Sequence, residues 1–559
     1  MKKILITACS CLLMLAGTTS SGAALPQTDL FQDLNPGPSG SDVEAFLPIG
    51  DQLWTSANSG QTGYEPWIVG KSKLNLVTDI SPGLASSDPG VSAELNGMIY
   101  FAASDPDHGR ELWRSDGTSA ELVKDIYPGP EDSFPQNLVT VGNRVFFSAA
   151  DSVNGRELWQ VDAGGASLVY DINPGLPSSS PAFLTSFTGK VFFQAYTPTH
   201  GQELWSSDGV TTGEVADLYP GGGSSQVSQL AVAGGNLYLA AYLPATGIEL
   251  YKSTGGVPTL VSDVEPGASS SYPDSLTAFG DKVVFRAHTM ATGDEPWISN
   301  GTGATQIADI SPGADASYPG NFTILDGTVY FTASTPDLGV EVYRSDGVTA
   351  DLAGDPIPGK FGGAYGLKGI DGNLYFAAST PEYGSEPWIL DGSGSRMIRD
   401  LLPGPEGSYP TGFAAHGDGV LFGADDGTHG LEPWFMHPDR EVKLALLGKR
   451  LGVSKKGFAG LKLACPANEA NGPCISKITV ATRKPVRVKG KRRKVTLSRK
   501  SIRVLTGNTG TARLNFSRAN IRLLLKQPAA RRVLVTVKVR DKAGNKRTVR
   551  KRYLLGRPA

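Results

Sequence analysis

Gly63-Tyr64-Glu65-Pro66-Trp67 is the first of nine copies of one pattern, Gly-x-Glu-x-(Trp/Tyr). The glutamates are Glu65, Glu111, Glu157, Glu203, Glu249, Glu295, Glu341, Glu386 and Glu432. Seven of the eight steps are 46 residues, and the step from Glu341 to Glu386 is 45. The aromatic is Trp in seven copies and Tyr at Tyr251 and Tyr343. A second motif, Asp-x-x-Pro-Gly, keeps the same period from Asp33, Asp79, Asp125, Asp171, Asp217, Asp263, Asp309, Asp355 and Asp400; after Asp355-Pro356-Ile357-Pro358-Gly359 the Ser-Ser-x-Pro element that follows the motif is lost. A fixed period of this length marks a repeat architecture.

One unit, Pro273 to Pro312, shows what the period builds. Ser275–Phe279, Lys282–Ala287, Glu295–Ser299 and Ala304–Ile310 are short runs rich in β-branched and aromatic residues. Gly280-Asp281 and Asn300-Gly301 are turn signals between them. Four such runs predict an antiparallel four-stranded meander. No stretch of the unit sustains a 3.6-residue apolar period, and 69 Gly with 38 Pro suit a turn-rich all-β chain. A lone sheet with two apolar faces must stack on its neighbours, and about 45 residues per four strands is a propeller blade. Thr28–Leu34 resembles a fourth strand, and no Asp-x-x-Pro-Gly follows Glu432. The N-terminal strand is therefore expected to complete the last blade and close a ring of about nine, above the usual four to eight.

Glu111-Leu112-Trp113-Arg114-Ser115-Asp116-Gly117-Thr118 and Glu203–Gly209 resemble the ELWxxDGT repeat of secreted bacterial, propeller-like proteins, over residues 30–437. Glu249–Gly255 lacks the Asp, and Glu295, Glu386 and Glu432 are followed by Pro. The resemblance implies a propeller and export, and it implies no catalytic residue.

Residues 1–24 read as a signal peptide: Lys2 and Lys3, an apolar core, then Gly22-Ala23-Ala24. Cys9 is preceded by too short an apolar run for a lipoprotein signal. No later run is long enough for a transmembrane helix. A secreted or cell-surface, extracellular location follows as the expectation, and Cys465 and Cys474 are then expected to form a disulfide.

The net charge of −2 hides a division. Residues 441–559 hold 33 Lys+Arg and 3 Asp+Glu, a balance of +30, which leaves −32 for residues 1–440. The predicted organisation is a propeller at 25–440, a hinge near Pro438–Lys443, and a basic β-sandwich at 441–559. The alternating strands and the Asp541–Asn545 turn resemble bacterial Ig-like domains.

The periodic Glu and Asp residues read as structural acceptors, because identical sites arise from identical packing. Asp105, Asp107, Asp425 and Asp426 are the candidates for calcium, although the spacing lacks the density of a calcium loop; no other cofactor is expected. His108, His200 and His429 share one repeat position, in blades too far apart to share a metal. No Ser/His/Asp set, phosphate loop or metalloprotease helix is present.

The loops joining strand four to strand one, and strand two to strand three, share a face, and variable loops there suit binding. The expected function is a monomeric, non-enzymatic binding or adhesion protein. Its basic domain would hold it on anionic cell-wall polymer or polysaccharide through salt-screened attraction. Nucleic acid is not expected, because no aromatic residues interleave the charge. The alternative is a propeller hydrolase or lyase acting on polysaccharide, with Asp355 to Gly366 as the strongest break in symmetry.

Overall fold

Alternating apolar and polar positions make strands, and their turns decide where each ends. The computed structural model describes residues 26–90, 92–354, 362–392, 394–437, 445–447, 450–454, 456–465, 474–488, 490–505, 508–540 and 546–556. The signal segment, Asp355 with its motif, the hinge stretch and the Asp541–Asn545 turn lie outside them. The chain forms two compact units, which divide in sequence after Pro438.

In the unit read above, the strands are Asp274–Phe279, Lys282–Thr289, Gly293–Ser299 and Ala304–Gln306. The fourth strand thus stops short of the expected Ile310. Two causes act: the Ile310 N–H is taken by the Glu295 carboxylate, and the residue after the motif Glu sets how far the pairing runs before that. Where it is Leu, a bulge adds a further pair, such as Leu112↔Lys124 or Leu204↔Ala216. Pro296 has no N–H to give such a pair, although its carbonyl still accepts from Ile307 at 2.8 Å. The fourth strand after Pro66 is equally short, Leu74–Leu76.

Nine four-stranded blades follow one another. The last comprises Thr411–His416, Gly419–Asp425 and Leu431–His437, with Gln27–Leu30 as its outer strand in the register Gln27↔His437 to Leu30↔Trp434. The seventh and eighth blades also share a short parallel pairing, Gly339↔Gly362 and Val340↔Gly363. Among the described residues nine apolar clusters lie between blades, one for each joint. The ninth sets Leu421 and Ala414 of the last blade against Leu53 and Trp67 of the first. A linear stack of nine would have eight, so the ring is closed.

Seven of the nine blades carry a cross-strand aromatic pair at the joint; the motif aromatic faces Thr55 in the first blade and Leu239 in the fifth. Phe101 faces Trp113, Phe147 faces Trp159, and Phe193 faces Trp205, with each Phe fully buried. Such pairs add to the roughly 1.5–3 kcal/mol gained by burying one large side chain.

The second unit packs the sheet of Arg450–Leu451, Lys546–Leu555, Arg532–Arg540, Cys474–Thr482 and Thr496–Val504 against Ala445–Leu446, Phe458–Ala464 and Thr509–Asn515. One core joins Leu461, Leu463 and Leu514 to Val480, Val535 and Val537, as in a β-sandwich. Cys465 and Cys474 form a disulfide with Cα atoms 5.8 Å apart. A helix, Arg518–Lys526, was not expected. It is started by the Ser517 side chain, which accepts from the Asn520 N–H, and it is held by Leu524 in the core. Among the described residues no helix is long and apolar enough to cross a membrane.

Candidate functional site at the channel mouth

The motif glutamates are fully buried and act as clasps. Glu65 accepts from the N–H groups of Ile80 (2.9 Å), Ser81 (3.3 Å) and Ser87 (3.1 Å) and from the Ser87 hydroxyl (2.7 Å). All four donors lie in the loop that leaves the fourth strand for the next blade. Glu111, Glu157, Glu203, Glu249, Glu295 and Glu386 hold their loops in the same way, each with a Ser hydroxyl 22 residues on. Glu432 closes the circle by accepting from Leu34, Asn35 and Ser41. The position matching that Ser after Glu341 is Gly363. Burial raises the pKa of these eight carboxyls, and Glu157 is pushed up to about 7.

The same Ser also ties the next blade, because its carbonyl accepts from the second strand there: Ser104 to Ser87 at 2.8 Å and Tyr196 to Ser179 at 2.8 Å. The motif Asp residues cap the turn. Asp79, Asp125, Asp171, Asp217, Asp263 and Asp309 each accept from the Gly N–H four residues on. Asp33 and Asp400 begin the corresponding turns.

One residue past the clasp Ser, the backbone turns left-handed in eight joints. The residues are Asp42, Asp88, Phe134, Ser180, Gln226, Tyr272, Tyr318 and Tyr409, with φ between 45° and 51°. Such a φ is costly for Tyr or Phe. Two N–H groups sharing one carbonyl hold it there: Ser271 and Tyr272 both donate to Ile248. The side chains point outward, with Tyr272 60 %, Tyr318 63 %, Tyr409 63 % and Phe134 44 % exposed.

These residues immediately precede the first strands, which are the innermost. Residues from four consecutive first strands, Asn137, Phe183, Gln229 and Leu276 among them, line one cavity of about 280 Å³. Each inner strand there carries a bulge that re-aims a left-handed residue, as at Asn137, Phe183, Gln229 and Ser275. The mouth thus carries an exposed aromatic at the joints after the second, fifth, sixth and eighth blades: Phe134, Tyr272, Tyr318 and Tyr409. It is acidic at the first. There the Tyr64 hydroxyl donates to Asp42 at 2.5 Å, and that bond, burial and the charges of Asp42, Glu44 and Asp88 push its pKa up to about 12. Arg110 spans towards Asp88, donating to its carbonyl at 2.8 Å.

The calcium candidates are occupied in turns. Asp105 accepts from the Asp107 and His108 N–H groups and pairs with the His108 ring. Asp426 does the same with Thr428 and His429, and Asp425 accepts from Gly427. Asp107 lies exposed on its turn. The Asp partners raise the pKa of His108 and His429. His200 differs, because it pairs with Glu214 on the fourth strand at 2.7 Å. The structure therefore leaves the three histidines in separate blades.

The clasp Ser and the left-handed position were missed from sequence, although the recurring Ser-Ser-x-Pro element carried both. The signal was the x, which is aromatic in four copies.

No protein-family model matches the chain, and no curated protein matches it by sequence. Among solved structures it is similar to a prolyl endopeptidase (13% identity, TM-score 0.34), covering 70% of this chain and 55% of that one. It is also similar to a GH74 xyloglucanase from Xanthomonas campestris (13%, TM-score 0.32), covering 94% and 93% of the two chains. A third is Sqt1 of Saccharomyces cerevisiae (8%, TM-score 0.32), covering 75% and 99%. This chain spans about half the length of the endopeptidase, and at these scores none of the three bears on its activity.

Proposed function

We propose that this protein is an exported β-propeller of the ELWxxDGT type that binds a polysaccharide at its channel mouth. The observation that carries the reading is the set Phe134, Tyr272, Tyr318 and Tyr409: one repeat position, one face, exposed and held left-handed. Flat aromatic faces offer area at little entropic cost and a polar tip, which suits stacking against sugar rings. The basic second domain supplies retention on an anionic polymer, since Lys491–Arg493 is wholly exposed. The test is a polysaccharide pull-down with the full chain and with Tyr272→Ala/Tyr318→Ala/Tyr409→Ala. Retention by the parent and its loss in the triple variant are expected. Equal retention of both would refute the site.

The acidic side of the mouth favours a second reading, a polysaccharide hydrolase or lyase. Asp42 and Asp88 occupy the aromatic position at two successive joints, and paired carboxyls are what glycoside cleavage uses. Product release from a polysaccharide panel, abolished in Asp42→Asn and Asp88→Asn, would establish turnover. No release from any substrate that is bound would leave binding as the function.

A further inference from the structure

The fourth blade breaks the repeat at two positions that meet. Three residues before the motif Asp, six other copies have Leu (Leu30, Leu76, Leu122, Leu168, Leu260 and Leu352), and the remaining two have Gln306 and Met397. Only here is the residue acidic, Glu214. Three residues before the motif Glu stands His200. The imidazole Nδ1 and the Glu214 carboxylate are 2.7 Å apart, and one ligand atom each from His200, Glu214 and Asp217 lie within 4.8 Å of one another. Among the described residues no other group of three His, Cys, Asp or Glu side chains is so placed. Asp217 uses one oxygen on the Gly221 N–H, at 3.4 Å. Its other oxygen is buried with no hydrogen-bond partner, as it is in Asp79, Asp125, Asp171, Asp263 and Asp400, but only at Asp217 do a His and a second carboxylate stand beside it.

We propose that His200, Glu214 and Asp217 bind a divalent transition-metal ion of the zinc class. One imidazole and two carboxylates match the ligands such an ion takes, whereas calcium takes oxygen alone. Ligand atoms about 2.1 Å from a tetrahedral ion lie about 3.4 Å apart, so entry of the ion opens the His200–Glu214 bond and draws Asp217 inward. The free oxygen of Asp217 then gains the partner it lacks. His200 is 45% exposed, which leaves a path for the ion and an open coordination position. The site does not depend on polysaccharide binding. It stands on the outer part of the same face, in the turn before the third strand and at the end of the fourth.

The test is calorimetric titration of the chelator-stripped full chain with Zn²⁺, with Ca²⁺ alongside. One Zn²⁺ per chain is expected at this site, bound more tightly than Ca²⁺. Glu214→Leu restores the residue that most copies carry, and His200→Thr restores one found in three of them (Thr62, Thr246 and Thr292), so both should fold. Each should weaken that binding by at least about tenfold. His108→Thr, which removes the histidine of a two-residue pair, should leave it unchanged. No Zn²⁺ binding by the parent, or equal affinity in Glu214→Leu and His200→Thr, would overturn the proposal. So would tighter binding of Ca²⁺. If Glu214→Leu does not fold, His200→Thr alone decides.

Discussion

Replacing Glu157 by Gln should flatten the pH dependence of propeller stability. Glu157 is fully buried and accepts from Ile172 N–H (3.1 Å), Ser179 N–H (2.8 Å) and the Ser179 hydroxyl. Burial is the dominant influence and raises its pKa from 4.5 to about 7, against the hydrogen bonds that favour the ion. A folded-state pKa above the unfolded one means that the native state holds the proton more tightly. The resulting stability is fully present below about pH 4.5 and is lost as pH rises through about 7. A shift of this size is worth about 3 kcal/mol. The protonated carboxyl has a place for its proton, because the Ser hydroxyl can turn to a strand carbonyl. Ser225 in the next joint already reaches the Gln202 carbonyl at 3.1 Å.

Glu157→Gln cannot titrate. Its amide keeps one acceptor and turns N–H towards a donor, which costs about 1–3 kcal/mol at every pH. The variant should therefore be less stable than the parent near pH 5, and the gap should close or reverse near pH 8. Urea unfolding followed by tryptophan fluorescence at these two values reads the difference. An equal gap at both would refute the reasoning, and would mean that the three donors keep Glu157 ionised throughout.

Two further outcomes follow from the joints. Ser225→Ala removes the 2.6 Å hydroxyl donor to Glu203 but leaves the N–H donors of Leu218 and Ser225, so it should cost about 1–2 kcal/mol in urea unfolding; an unchanged midpoint would show that the hydroxyl adds nothing to the clasp. Tyr318→Gly relieves a φ of 47° and should leave thermal stability unchanged or raised by up to about 1 kcal/mol, while weakening polysaccharide retention; a clear loss of stability would make Tyr318 a packing residue instead.

Much of the architecture was legible along the chain because each blade solves the same local problem with the same residues. The 46-residue step, the Asn-Gly and Pro-Gly turns and the apolar runs locate four strands per copy. The unmatched strand near Thr28 identifies how the ring closes. Charge balance separates the basic unit for a similar reason, since it is a property of composition. Local reading failed where a neighbour's atoms decide. The fourth strand after Glu295 is shortened by the missing N–H of Pro296 on the strand beside it. The helix Arg518–Lys526 exists because Leu524 finds the sandwich core and Ser517 caps its start.

The candidate site was less legible, because function there depends on convergence. The nine glutamates announce themselves by spacing, but their partner is a Ser 22 residues away, and for Glu432 the donors Leu34 and Asn35 come from the other end of the propeller sequence. Tyr272, Tyr318 and Tyr409 look like ordinary loop residues until the left-handed turn after the clasp Ser exposes them, fixed at Tyr272 and Tyr409 by two N–H groups sharing one carbonyl. His200 stands in the turn before the third strand and Glu214 on the fourth, and only the antiparallel pairing of those two strands brings them within 2.7 Å. Sequence alone settled how many blades there are and what each is made of, since covalent order and turn chemistry act over a few residues. Ring closure and the pairing of buried donors with buried carboxylates act between residues far apart in the chain, so only the tertiary structure decided which side chains share the mouth.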